Sequence, residues 1–306
     1  MYKKSFWRGA GFAALYFAVF LVVQFAVSIV GMVICVVNKA STDSTFLEKV
    51  TSNDIQTATN ALMSAIAGNP TNYMLLIYSV LTTAAVLIFL LITKRNPLKM
   101  LEINKLHPVS YVVAIVMGVA MLLFVGCVID LIPFPQSWID QLNNTFDPMM
   151  SASSVLAILA IGIFGPINEE LIFRGGIMNS MRRDSTSVVG IIISSLAFGL
   201  MHGIPLQICY ATFVGVLIAL VFHFTKSIVP CIIIHIVNNT TTTLMNIYAD
   251  YFPEDFLKKG TPSFGMALGV SGILLALGLC AFYFIERNKR YAKEFSGKAI
   301  AEVPQA

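Results

Sequence analysis

Charge is what this chain has least of. Asp, Glu, Lys and Arg make up 12% of its 306 residues, against about 25% in an ordinary soluble domain. That shortage excludes a soluble globule with a fully solvated surface. The net charge is only +4 and the basic residues sit at the ends of apolar segments, which excludes a nucleic-acid-binding face. Cysteine is scarce too. Cys35, Cys127, Cys209, Cys231 and Cys280 are odd in number, fall in apolar runs and form no CxxC. They read as buried free thiols, not as a disulfide framework or a sulfur-based metal site. No HExxH occurs, so the familiar zincin helix is absent.

What is there is hydrophobic, 57% of the chain, in long uncharged runs broken by short polar clusters. This is the pattern of an all-α, polytopic membrane helical bundle with about eight transmembrane helices. The spacing predicts spans over 12–37, 73–93, 110–132, 154–183, 186–203, 206–224, 228–247 and 264–285. The first run is too long for a signal-peptide core and reads as a retained helix. Between the first two spans, Leu47, Val50, Ile55, Ala58, Leu62 and Ala65 fall at helical spacing and predict a surface amphipathic helix. Pro133, Pro135, Trp138 and Pro148 mark 133–153 as an external loop with an interfacial tryptophan. The basic tail after Glu286 is expected to be loosely ordered. The chain thus divides into 1–150, membrane helices with an external loop; 151–247, a polar-bearing core; and 248–306, a last helix and tail.

Eight spans put both termini on one side of the bilayer. That side collects fifteen Lys and Arg, the other only Lys39, Lys49, Lys258 and Lys259. By the positive-inside rule both termini are cytoplasmic.

One stretch breaks the apolar pattern inside a predicted span: Gly165-Pro166-Ile167-Asn168-Glu169-Glu170-Leu171-Ile172-Phe173-Arg174-Gly175. A charge at bilayer depth costs about 2.5–3.5 kcal/mol or more. Glu170 and Arg174 are four apart and can pair on one helix face, but Glu169 is rotated from them by ~100°. Gly165-Pro166 is expected to open or kink the helix just before the acids. Two further spans repeat the four-residue spacing, Phe198 with His202 and His235 with Asn239. A helical bundle can converge these groups in its core. A glutamate and a histidine can hold and deprotonate a water. A second histidine with an asparagine can donate to a developing oxyanion, and an arginine sets the ionisation of the acids. The same donors can ligate zinc. His107 and His223 read as interfacial and structural.

Together, Pro166-x-x-Glu169-Glu170-x-x-x-Arg174-Gly175, Phe198-x-x-x-His202-Gly203 and His235-x-x-x-Asn239 resemble the three motifs of the CPBP family. These are the CAAX prenyl proteases and the bacteriocin-processing or immunity proteins, also called Abi. The resemblance covers about 150–245. It implies an intramembrane endopeptidase of a bacterial cell membrane, acting on a membrane-associated peptide or protein. By analogy Glu169 is the general base, His202 assists, His235 and Asn239 form the oxyanion site, and Glu170 and Arg174 support them. No cofactor is expected; zinc on Glu169, His202 and His235 is the alternative. A rival reading is a non-catalytic immunity or scaffold protein of the same fold. A third, a proton-coupled transporter, is disfavoured because no repeat relates the two halves. The site is expected to face water from the cytoplasmic side. By the boundaries above His202 falls near the external end of its span, so 199–203 would have to dip inward.

Overall fold

The computed structural model describes residues 5–67, 69–92, 101–253 and 257–301. Lys3, Lys4, Lys94, Arg95 and Lys99, which contribute to the charge asymmetry, lie outside the described residues. Eleven helices are assigned here, α1 (Phe6–Thr42), α2 (Phe46–Val50), α3 (Ile55–Ile66), α4 (Asn69–Ile92), α5 (Pro108–Leu131), α6 (Gln136–Ala152), α7 (Ser154–Asp184), α8 (Ser187–Leu200), α9 (Pro205–Thr225), α10 (Val229–Ile247) and α11 (Pro262–Ala301). The chain is a polytopic helical bundle.

Six described helices are long and apolar enough to cross a membrane: α1, α4, α5, α7, α9 and α11. The other two expected spans are helical but fall short for different reasons. At 14 residues, α8 reaches about 21 Å, less than the ~30 Å hydrocarbon core. α10 is long enough but carries Asn238, Asn239, Thr240 to Thr243 and Asn246, so its second half is too polar to face lipid. α10 is mostly enclosed, while α8 exposes Val188, Ile192, Leu196 and Leu200 along one side and buries the opposite one. The expected external loop at 133–153 is largely helix α6: Pro135 sits at its N-cap, where a fixed φ is tolerated, and Pro148 lies within it. The tail continues α11 as helix to Ala301. The single amphipathic helix expected after α1 is two helices, α2 and α3, broken at 51–54, and the Asp54 carboxylate caps α3 at the Gln56 and Thr57 amides.

The two ends of the bundle differ chemically. At one end Arg8 pairs with Asp184 and Arg182 with Glu102. There too Ile228 N–H donates to the Glu102 carbonyl, the Ser227 hydroxyl to Asn104, and Ser110 to Glu286. This basic end gathers the start of α1, α5, α8 and α10 and the finish of α7 and α9. The opposite end holds α2, α3 and α6, where Asn72 of α4 donates to the Met149 carbonyl.

α7 is the central element and touches α1, α4, α8, α9 and α10. Every residue from Leu171 to Met181 is buried. Phe173 meets Phe17, Phe20 and Phe198 edge-on, arrangements favoured by ring quadrupoles. Two of the five cysteines, Cys127 and Cys231, are buried and Cys35 is half-buried; Cys209 and Cys280 are exposed on the flanks of apolar helices, and all five are free. The expectation of five buried thiols was too broad because a lipid-facing position is apolar without being buried in protein.

Gly176 brings α7 against α1: an added Cβ would stand 2.8 Å from the Tyr16 ring. Gly176→Val is therefore expected to destabilise the bundle by about 1–3 kcal/mol through overpacking, read as a lower thermal midpoint in detergent. Hydrogen bonds from Thr57 and Gln56 hold the Asp54 carboxyl below its usual value. A lowered folded value contributes stability above the unfolded pKa that is lost as pH falls through the folded one. Protection factors of α3 amides should drop on that acidification, and Asp54→Asn should abolish the pH dependence.

Candidate active site

The site begins with a proline. Pro166 has no N–H, so the Gly162 carbonyl has no i+4 donor. One residue earlier, Gly165 N–H donates to Ala160, five residues back, and this π-type bond frees the Ile161 carbonyl as well. Gly165 is needed there because an added Cβ would lie 2.9 Å from the Ala160 oxygen. Two orphaned carbonyls at membrane depth must find donors. Both come from α10: Asn239 Nδ2 donates to Ile161 O at 3.2 Å and Thr240 Oγ1 to Gly162 O at 3.1 Å. The expected break at Gly165-Pro166 is thus a widened turn, not a kink to solvent. A second π-type stretch spans Leu171–Met178.

Glu170 is the buried anchor. Its side chain and that of Arg174 are fully buried. Oε1 accepts from Arg174 Nη1 at 3.0 Å and from His235 Nδ1 at 2.8 Å. Arg174 also donates from Nη2 to the Gly215 carbonyl of α9 at 3.0 Å, and its guanidinium lies 4.8 Å over the Phe198 ring. Three helices are thereby tied to one carboxylate. Since a carboxylate paired with arginine only accepts, His235 Nδ1 is the donor, and Nε2 points the other way. Nε2 stands 3.7 Å from Glu169 Oε2. That is beyond a direct hydrogen bond and suits a bridging group. Glu169 keeps 17% of its side chain exposed, unlike its neighbour.

His202 joins through Phe198. Its Nδ1 donates to the Phe198 carbonyl at 2.8 Å, which leaves Nε2 as the other ring nitrogen. The Phe198 ring touches His202 edge-on on one side and His235 on another, with centroids 5.1 and 5.6 Å away. Because α8 is short, its end lies level with Arg174 and His235, and the separation of His202 from the acids read from the sequence disappears. All six expected residues, Glu169, Glu170, Arg174, His202, His235 and Asn239, therefore belong to one neighbourhood. They are not equivalent. Glu170, Arg174 and His235 are bonded to each other, His202 is linked through Phe198, and Asn239 is bonded to the α7 backbone.

The donors expected for zinc, Glu169, His202 and His235, have suitable chemistry, but among the described residues no three His, Cys, Asp or Glu side chains converge as a ligand group. The arrangement does not fit a metal held by these three, and no step is derived through one.

Sequence reasoning missed several partners. The Gly162 carbonyl was announced by Pro166. Thr240 and the Gly215 carbonyl carried no signal.

Residues 151–241 match the family model of the type II CAAX prenyl endopeptidase, Rce1-like. This segment, about 30% of the chain, is similar to that family. Over 196 residues it is 26% identical to the membrane-embedded CAAX protease MroQ of Staphylococcus aureus (strain USA300), covering 61% of this chain and 76% of that one. Over 92 residues it is 32% identical to the putative membrane peptidase YdiL of Bacillus subtilis (strain 168), covering 30% of this chain and 38% of that one. No solved structure matches significantly. The family is one of membrane CAAX-type proteases, and the matched segment contains every residue of the site.

Arg174→Met should leave the Gly215 carbonyl without its donor and the Glu170 carboxylate with His235 alone. Losing one partner of a buried ion pair costs about 3–5 kcal/mol, expected as a large fall in thermal midpoint, whereas Glu169→Gln should leave the midpoint nearly unchanged.

Proposed function

We propose that the protein is a membrane-embedded endopeptidase that hydrolyses a peptide bond of a membrane-associated protein or peptide, of the prenylated CAAX type, with Glu169 as general base. One observation carries the reading: the adjacent acids have different circumstances. Glu170 is sealed in and committed to Arg174 and His235, while Glu169 is partly exposed beside His235 Nε2. A purely structural cluster has no need of the second acid, whose cost at this depth is several kcal/mol.

In this mechanism Glu169 takes a proton from water as its oxygen adds to the scissile carbonyl carbon, and His202 orients that water through its free Nε2. The carbonyl oxygen gains negative charge beside His235 and the remaining Nδ2–H of Asn239. Glu169 then returns the proton to the leaving nitrogen as the C–N bond breaks. Glu170, Arg174 and Phe198 fix the rings in place. The basic end faces the cytoplasm of a bacterial cell.

The test is cleavage of a peptide panel that includes prenylated CAAX peptides, by purified protein in detergent, with and without chelator. Glu169→Ala and His235→Ala are each expected to reduce cleavage by about 10²–10⁴-fold, Glu169→Ala without loss of folded protein and His235→Ala with some loss of stability because Glu170 loses a donor. Undiminished cleavage by Glu169→Ala would remove the general base. Loss of wild-type cleavage in chelator, restored by zinc, would replace the water-only mechanism. If partner maturation in cells survives Glu169→Ala and His202→Ala at normal protein levels, the scaffold reading replaces hydrolysis.

A further inference from the structure

The developing oxyanion is short of donors. The Nδ1–H of His235 is spent on Glu170, and its Nε2 stands 3.7 Å from Glu169, where a hydrogen on it would turn to the carboxylate. One Asn239 hydrogen goes to the Ile161 carbonyl. What remains is the second hydrogen on Asn239 Nδ2. An oxyanion site is ordinarily built from a pair of donors. Two hydroxyls nearby feel the charge of Glu169, those of Tyr78 on α4 and Tyr210 on α9.

They differ in commitment. Tyr78 is buried and bonded to Asn168 and Thr82, so it belongs to the framework. Tyr210 is half-buried with its ring packed against the core, and its hydroxyl bonds to no described residue. A phenol at such a place normally finds a partner for its O–H. Its height in the bundle follows from a register. α9 ends and α10 begins at the basic end, so the two run antiparallel, and Cys231 Sγ donates to the Ile218 carbonyl at 3.6 Å. Eight residues back along α9 and eight forward along α10 are equal rises of about 12 Å, so Tyr210 is level with Asn239. Seven residues, or two turns, beyond Cys231, Asn238 lies on the side of α10 turned to α9. It donates from Nδ2 to Asn239 Oδ1 at 3.0 Å. Tyr210, Asn238 and Asn239 therefore share one layer, with Glu169 in reach.

We infer that Tyr210 is a further catalytic residue, whose hydroxyl donates the second hydrogen bond to the scissile carbonyl oxygen as it becomes an oxyanion, opposite Asn239. This rests on the peptidase reading. No proton is transferred. The phenol keeps its hydrogen throughout; the bond strengthens as charge gathers on the oxygen and weakens when the carbonyl reforms with C–N cleavage. Tyr210 lies inside the matched segment but in none of the three motifs, so neither spacing nor resemblance pointed to it. Unlike Asn239 it has no second bond to the framework, and removal of its oxygen should touch the chemistry alone.

Tyr210→Phe in the full-length protein removes one oxygen and keeps the ring. With the peptide that wild type cleaves fastest, it is expected to lower kcat by about 10²-fold, the usual loss for one oxyanion donor, with KM and the thermal midpoint nearly unchanged. Binding reads the same contact without turnover. A phosphinate analogue of that peptide, tetrahedral and anionic at the scissile position, should bind Tyr210→Phe about 10²-fold more weakly than wild type. A methyleneamine analogue, which lacks the oxygen, should bind both alike. An unchanged kcat, a loss of affinity shared by both analogues, or a fallen midpoint overturns the inference. A wild type that cleaves no peptide overturns the peptidase reading and the inference together, whereas a fully active Tyr210→Phe overturns the inference alone.

Discussion

A carboxylate that cannot reach water governs this structure. Glu170 is fully buried and held where a lone ion would be prohibitively costly. Its cost is offset by Arg174 and His235, and each partner brings a helix with it. Arg174 reaches on to the α9 backbone and His235 stands on α10. Phe198 of α8 fits under the guanidinium. Remove the carboxylate and four helices lose their common reference. Its neighbour Glu169, the proposed general base, is placed by a scaffold that it does not itself support.

Much of this was legible. Glu170-x-x-x-Arg174 states its pairing in its spacing, and Phe198-x-x-x-His202 states that a ring and an imidazole share a face. The apolar runs gave six of the spans directly. The remaining two are helices that fall short of the others in one respect each. α10 carries a polar second half, and α8 stops at 14 residues although one side of it is exposed and apolar. Proline misled in the opposite direction at 133–153, where Pro135 begins α6 and does not prevent it. Nothing local announces that Asn239 donates to Ile161, because the partner lies on another helix, 78 residues away.

Asn239 illustrates how a motif residue acquires more than one duty. The family resemblance assigns it to the oxyanion, and the structure gives one of its amide hydrogens to an orphaned carbonyl. The two uses are compatible, since Nδ2 carries two hydrogens. The bond to Ile161 fixes the side chain so that the other hydrogen has a defined direction. Thr240 does the same work one residue on, with no spare donor, and so belongs to the framework alone. Together with His235 they fasten α10 to α7 on both sides of the glutamates.

The widened turn before Glu169 has a consequence for how this segment can vary in length. A π-type turn is in effect an α-helix carrying one surplus residue. Deleting a single residue from 158–164 would remove that surplus and let the turn close to ordinary helix, with the two halves of α7 keeping their relative phase. What would go is the widened turn itself, and with it the freed Ile161 carbonyl to which Asn239 donates. A deletion here would therefore spare the packing of the flanks and loosen the fastening of α7 to α10.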